Sequence, residues 1–401
     1  TNLAQHASLA PPTQVEAMEG FPTVQPARPR RPRNFTVSRN EALVLDLVRR
    51  NGEVSRAKLT EHTELSKQSV GRIVDALMAR EFLQIGHRIV TGPGKPSTLI
   101  RLVADSAYAL GVSLTSDSIA GVLMKFDGTP IEHLRTPLTG RTTEELLAAI
   151  ETICLDLIRS HALPMWKVCG LGLAIPGYFT SHGHRLNPPD PLTELAEIEI
   201  DREMAERLQL PVWIENDANA SAIGEHMNGV GRHLRDFAYI HHTYGLGGAI
   251  IINNQLVRGF HGNAGEYSGI LAPDSLETRP TLELLRRYVC DDGTPVENIS
   301  TLIATFNIDW PGVERWLDTV CAPLSRIVTA IASVLDPQAI VLGGQIPKPL
   351  AARLKERITI HEGKKRRGRY PPRPEILVSE VVGDPAVLGA AAIPLKASFY
   401  A

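Results

Sequence analysis

Ile214-Glu-Asn-Asp-Ala-Asn-Ala220 is the stretch on which the fold turns. It reads as the end of a strand that opens into a helix at Ala218, leaving Asn216 and Asp217 at the strand's carboxyl edge. An Asp at that point can accept a hydrogen bond from a substrate hydroxyl, and in a phosphoryl-transfer enzyme it would also take that proton as phosphate arrives. Asn216 offers both a donor and an acceptor, which suits a polyol. The plainer alternative is a strand-to-helix turn that Asp217 merely caps.

Upstream, strands and helices alternate from about Ala104. Leu110–Thr115 and Ile119–Phe126 read as a hairpin. A helix over 143–162 places Leu146, Ile150, Ile153 and Leu157 on one face, and the strand Val168–Ile175 follows it. That order implies an α/β body. The chain has 401 residues, and single cores rarely grow past about 250–300, so several domains are expected.

Between Asn34 and Val103 the pattern differs. Ser38-x-x-Glu41 has capping-box form, and Leu43, Leu47 and Val48 follow it on one helical face. Gly52 stops this helix, Ser55 can cap a second through about Thr63, and Ser66 can cap a third running to about residue 80, with Val70, Ile73, Val74 and Leu77 inward. Gln68, Arg72 and Asp75 then point outward, with Lys67 and Ser69 in the first turn. Phe82–Val90 and Ser97–Leu102 form strands about the turn Gly92–Pro96, a wing carrying Arg88 and Lys95. Three short helices and a basic wing suit a winged helix-turn-helix that reads base edges and phosphates of double-stranded DNA through Lys67, Gln68, Ser69, Arg72, Arg88 and Lys95.

Charge supports that division. Residues 1–103 hold 15 Lys and Arg against 9 Asp and Glu, whereas the remainder holds 27 against 35, so a basic front precedes an acidic body. Residues 1–33 are Pro-rich, end in Arg28-Pro-Arg-Arg-Pro-Arg33, and read as a disordered arm that either touches DNA phosphates or is simply solvated. Cys154, Cys169, Cys290 and Cys321 form no Cys-x-x-Cys pair, which argues against a zinc knuckle or a disulfide framework. No secretory signal is readable and no apolar run reaches about 20 residues, so a cytoplasmic protein with no membrane partner is expected. The cluster Lys364-Lys-Arg-Arg-Gly-Arg369 reads as a solvated loop.

Four segments together resemble the ROK family of bacterial sugar kinases and sugar-responsive repressors. They are Gly172-Leu-Ala-Ile-Pro-Gly177, Glu215-Asn-Asp-Ala-Asn-Ala220, Tyr244-Gly-Leu-Gly-Gly-Ala249 with Gly262-Asn-Ala-Gly-Glu266, and Asp336-Pro-Gln-Ala-Ile-Val-Leu-Gly-Gly344. The resemblance covers nearly everything from Ser38 onward. It implies an actin-like, two-lobed ATPase fold of the ribonuclease H-like sugar-kinase type, with one lobe over 104–225 completed by a C-terminal helix at 385–401 and a second over 226–384. It also implies a sugar site at Gly177, Asn187, Asn216, Asp217, Glu266 and Glu277.

The sequence departs from the family's kinases in ways that bear on activity. Where the family has Glu-x-Gly-His, this chain reads Glu266-Tyr-Ser-Gly269, and the cysteine-rich knuckle that follows in the family is replaced by Pro273-Asp-Ser-Leu-Glu-Thr278. A sugar contact and the usual zinc site are thereby lost, and Glu277 aligns with the second sugar carboxylate. The family's Asp-x-Gly-x-Thr turn, whose glycines admit phosphate to backbone amides, is here Ser113-Leu-Thr115-Ser-Asp117. Tyr244 stands in the second phosphate loop where a small Thr is usual, and Gly343-Gly344 persists near the adenine position. No metal or cofactor is expected, Asp217 being a vestigial base. The expectation is a repressor of carbohydrate metabolism or transport genes, dimeric or higher, that answers a carbohydrate effector; the alternative is a bifunctional ATP-dependent sugar kinase.

Overall fold

The structure, a computed structural model, describes residues 35–89, 97–181, 185–272, 277–361, 363 and 365–400. The Pro-rich arm, the Gly92–Pro96 turn with Lys95, and Ser275 and Leu276 lie outside these residues.

The first helix, α1 (Arg39–Asn51), begins at the capping box: Ser38 Oγ accepts from the Glu41 amide, and the Glu41 carboxylate accepts from the Ser38 amide at 2.6 Å. Two otherwise orphaned donors are thereby satisfied. After Gly52 comes β1 (Glu53–Ser55), a three-residue strand too short for periodicity to reveal. Ser55 caps α2 (Arg56–Thr63) and Ser66 caps α3 (Lys67–Ala79), which turns Val70, Val74 and Leu77 inward. The strands β2 (Leu83–Ile89) and β3 (Ser97–Leu102) pair antiparallel, and β1 adds to the free edge of β3, so the wing is three-stranded.

The body contains two five-stranded sheets. In the first, β4 (Tyr108–Leu114), β5 (Ser118–Lys125) and β6 (Pro130–Pro137) form an antiparallel meander. After α4 (Thr143–Ser160), β7 (Val168–Ile175) lies parallel to β4. A small hairpin, β8 (Tyr178–Ser181) and β9 (Arg185–Asn187), and the helix α5 (Ile200–Leu208) precede β10 (Val212–Asn216), which is parallel to β7. The strand order is β10-β7-β4-β5-β6. Leu146, Ile150, Ile153 and Leu157 of α4 pack on one face of this sheet, and α6 (Asp217–Asn228) leaves the end of β10.

The second sheet holds β11 (Phe237–His242), β12 (Leu246–Ile252) and β13 (Gln255–Leu256). After the helices α7 (Leu282–Asp291), α8 (Ile299–Thr305) and α9 (Pro311–Leu335), β14 (Ala339–Gly344) returns parallel to β11. Then α10 (Lys348–Arg357) and β15 (Glu375–Val378) complete the order β13-β12-β11-β14-β15. The helix α9 is by length and composition long and apolar enough to cross a membrane, although Glu314, Arg315, Asp318 and Arg326 interrupt its apolar sequence. Here Val313, Trp316, Leu317, Val320, Leu324, Ile327 and Val328 of α9 are buried in the core of this lobe.

The last helix, α11 (Pro385–Phe399), ties these parts together. It packs against α6 and across β4 and β7, and it is buried along nearly its whole length. Glycine permits the approach. A Cβ on Gly389 would run into the Ala220 carbonyl of α6, and one on Gly172 of β7 would run into the carbonyl of Ala390. At its far end, the Phe399 ring meets Phe35 at 5.3 Å, Phe82 at 5.4 Å and Phe126 at 4.8 Å. Phe35 and Phe82 belong to the winged helix, whereas Phe126 follows β5. The Arg49 guanidinium of α1 lies 5.3 Å over the Tyr400 ring, and the Tyr400 hydroxyl donates to the Phe126 carbonyl. One core therefore runs from the winged helix into the first lobe.

Because the obstruction at Gly389 is backbone, no rotamer change can relieve it. Gly389→Ala should cost about 3 kcal/mol of stability, read as a lowered midpoint in urea unfolding, the upper end of what overpacking usually costs.

Candidate functional site

On the winged helix, Lys67, Gln68 and Arg72 project from α3 into solvent, and Ser69 is half-buried, its amide donating to Ser66 Oγ at 3.1 Å. Asp75 is engaged: Arg56 of α2 reaches its carboxylate at 2.6 Å. Arg88 is exposed on β2. The exposed edge of α3 thus presents one amide and two cations without an opposing carboxylate in its first two turns, a surface that phosphates and base edges can meet.

The second candidate site is a cleft of about 470 Å³ between the lobes, within the usual range for small-molecule sites. It is lined by the end of β10 and start of α6, the β11–β12 loop, and the β8–β9 hairpin. Gly177, Asn187, Asn216, Asp217 and Glu266 all lie on its wall. Glu277 does not: it is exposed and outside the lining, so the structure does not bring it together with the other five. Arg279, two residues on, is on the wall.

Asn216 also departs from expectation. Its Oδ1 accepts from the amides of Ala218 and Asn219 at 2.8 and 3.1 Å, capping α6, and its Nδ2 donates to the Gly177 carbonyl at 2.7 Å. It is a positioning residue with at most one N–H left for a ligand. The cap is therefore Asn216, not Asp217. That arrangement leaves Asp217 directed at the cleft, with Oδ1 accepting from the Ala218 amide at 2.9 Å and Oδ2 3.4 Å from His241 Nε2. Asn187 donates to the Tyr178 hydroxyl at 2.6 Å, and Gly177, at φ 127°, passes too close to Asn187 and Pro188 to carry a side chain.

Behind the pair sits a residue that the motif alone did not flag. Glu215 is buried; its Oε1 accepts from the Asn216 amide at 3.1 Å and from Asn219 Nδ2 at 2.9 Å, while its Oε2 accepts from Arg258 at 2.7 and 3.0 Å. Arg258 follows β13 in the second lobe, so this ion pair pins the two lobes beneath the cleft. Because the Arg258 side chain is 34% exposed, solvent screens the pair in part, and losing Arg258 costs less than the penalty for a fully buried pair. His241 was likewise missed. It is buried on β11, lines the cleft, and has neither ring nitrogen hydrogen-bonded within the protein. The signal was the His241-His242 pair before the Gly-rich loop: His242 turns away, its Nδ1 donating to the Pro280 carbonyl at 2.9 Å.

The first turn is closed off by its own contacts. Asp117 Oδ2 accepts from the Ser300 amide of α8 at 3.0 Å, Oδ1 accepts from Thr115 Oγ1 at 2.9 Å, and Arg135 donates to both Ser118 and Ser300. Burial alone would raise the Asp117 pKa, but the bonds from Ser300 and Thr115 together with the Arg135 charge hold it below the usual value. Ser113 is buried on β4, away from the cleft lining. Among the described residues, no group of three or more His, Cys, Asp or Glu is placed to hold a metal ion.

Glu266 lines the same cleft and is exposed as a residue, but its carboxylate lies among protein atoms on the cleft side, near Asp217. Loss of hydration raises its pKa, and the Asp217 charge adds to the shift. A carboxylate whose folded pKa exceeds its unfolded one makes the fold less stable as pH rises from about 4.5 through the folded pKa. Glu266→Gln should therefore melt above the wild type at neutral pH, with the gap in melting temperature closing as pH falls toward 4; an unchanging gap between pH 4 and 8 would contradict this.

The sequence pattern of the ROK family matches residues 109–281, and that of the MarR family matches residues 35–87. A xylose repressor of Bacillus spizizenii is 30% identical over 237 residues, 58% of this chain and 60% of its own length. The chain thus aligns with about three-fifths of that relative. A solved ROK family transcriptional regulator, a homologue of the E. coli MLC protein, superposes with a TM-score of 0.66 at 18% identity over 90% of this chain and 96% of its own. A ROK family glucokinase from Streptomyces griseus, in complex with glucose and AMPPNP, gives 0.59 at 22% identity over 72% and 99%. The last two likenesses concern fold.

Proposed function

Since this chain joins a ROK family domain to an N-terminal MarR-type winged helix, we propose that it is a sugar-responsive transcriptional repressor whose effector, a carbohydrate or close polyol relative, binds in the interlobe cleft. The observation that carries this reading is physical continuity. The helix α6 begins at Asp217 in the cleft, packs without intervening side chains on α11, and α11 ends among Phe35, Phe82 and Arg49 of the winged helix.

Asp217 and Glu266 accept hydrogen bonds from effector hydroxyls, Asn216 holds the turn that presents Asp217, and Gly177 and Asn187 shape the opposite lip. Ligand binding biases one lobe arrangement over another; a hundredfold preference would supply about 2.7 kcal/mol. A shift of α6 cannot be absorbed at a backbone-close contact, so α11 moves with it and changes the setting of the winged helix. Lys67, Gln68, Ser69, Arg72 and Arg88, with Lys95 on the wing, meet operator DNA. Two such surfaces at fixed spacing read a palindrome, which makes a homodimer the smallest working unit and favours a cytoplasmic location beside the DNA.

Phosphoryl transfer is not part of this proposal. Engagement of Asp117 by Ser300, and the burial of Ser113 at the position of the kinases' magnesium-binding Asp, support a cleft that binds without catalysing. Incubation with ATP and a panel of sugars should give no sugar phosphate; turnover lost in Asp217→Asn would favour the bifunctional kinase instead.

Arg72→Ala should weaken binding to the promoter duplex by about 1–3 kcal/mol, as measured by fluorescence anisotropy, with little effect on binding to unrelated DNA. Asp217→Ala should bind the promoter normally and fail to respond to effector. Normal release of Asp217→Ala by effector would place the ligand elsewhere.

A further inference from the structure

One guanidinium stands among the carboxylates Asp117, Asp190, Asp217 and Glu266 of the cleft wall, and it bears on what the effector is. A second carboxylate at Glu277 would favour a neutral, hydroxyl-rich ligand, but Glu277 is outside the cleft and Arg279 is on its wall. Among the described lining residues, Arg279 is the only Arg or Lys. It forms no ion pair with Asp217 or Glu266, and its Nε is buried without a protein acceptor. A guanidinium nitrogen withdrawn from water and left unpaired is destabilising, so its position calls for a compensating acceptor when the site is filled.

The backbone that presents Arg279 is fixed from several sides. The Pro280 carbonyl is bound by His242 at 2.9 Å, and the Thr281 carbonyl accepts from Trp316 Nε1 at 3.0 Å. The Leu282 amide donates to the Thr243 carbonyl at 2.9 Å, in the loop that itself lines the cleft. Thr281 then caps α7. A side chain held on such a frame is preorganised for a ligand group rather than for a passing counter-ion. His241, buried on the same wall with neither ring nitrogen hydrogen-bonded within the protein and Nε2 3.4 Å from Asp217 Oδ2, adds a further polar group beside Asp217.

Building on the sugar-site reading above, we propose that the effector is an anionic polyol, with hydroxyls on Asp217 and Glu266 and a carboxylate or phosphate on Arg279. The planar guanidinium matches either oxyanion through paired N–H donors. The same wall then discriminates against plain aldoses, which leave the guanidinium unpaired.

The test is isothermal titration of the full chain with glucose, glucuronate and glucose 6-phosphate, and with xylose as a smaller neutral sugar. At least one of the two anions should bind tenfold or more tightly than glucose; which one does so distinguishes a sugar acid from a sugar phosphate. In Arg279→Met that ratio should fall toward one, and in Arg279→Lys a part of it should survive. If Arg279→Met binds no sugar, the Lys variant decides: a preference kept supports the proposal and a preference lost overturns it. Equal affinity for glucose and both anions, with binding lost in Asp217→Ala, overturns the anion proposal and leaves the sugar site standing. Absence of Asp217-dependent binding by any of the four sugars overturns both.

Discussion

The backbone-to-backbone contact of α11 with α6 and β7 is the constraint on which the rest of the structure depends. Gly389 and Gly172 bring main chain against main chain where any side chain would hold the elements apart. Helices packed so closely behave as one body, because a close-packed interior has no slack in which to lose a small displacement. The residue that opens α6 is in the cleft, and the residues that close α11 are against the winged helix. The cleft wall and the winged helix are therefore linked through two helices in backbone contact, α6 and α11.

Polar groups in the cleft divide into those that hold the site and those left to meet a ligand. Asn216 caps α6 and grips Gly177, Glu215 binds Arg258 across the lobes, and Asp117 is bonded to Ser300. Each is satisfied inside the protein, as buried polar groups must be. Asp217, Glu266, His241 and Arg279 are among the lining residues that keep polar atoms free to meet a ligand. Clustering of such groups on one concave wall is the ordinary signature of a binding site. The engagement of Asp117 also joins the two lobes, since its carboxylate accepts from Thr115 beside it and from the Ser300 amide across the cleft.

Much of the fold was legible because it rests on local rules. The capping box at Ser38, the caps at Ser55 and Ser66, and the inward stripe of Val70, Val74 and Leu77 follow from side-chain chemistry within a few residues. What escaped was whatever depended on a partner distant in sequence. The strand β1 exists because β3 offers it an edge. The long apolar face of α9 has the composition of a membrane span, and only its neighbours in the second lobe make it a core helix. Glu215 looked like an unremarkable strand residue until Arg258 arrived beside it.

The sequence by itself determined the winged helix, the alternating α/β body, and the strand-to-helix turn at Asn216-Asp217, since capping, periodicity and strand ends are encoded locally. The tertiary structure decided which of those groups face a ligand. It made Asn216 a cap, excluded Glu277 and admitted Arg279 and His241, because a side chain's direction is set by the packing of elements that meet only in the fold. It also decided that the helix carrying Asp217 and the helix reaching the winged domain press together as backbone on backbone, because glycine at 389 leaves no side chain between them.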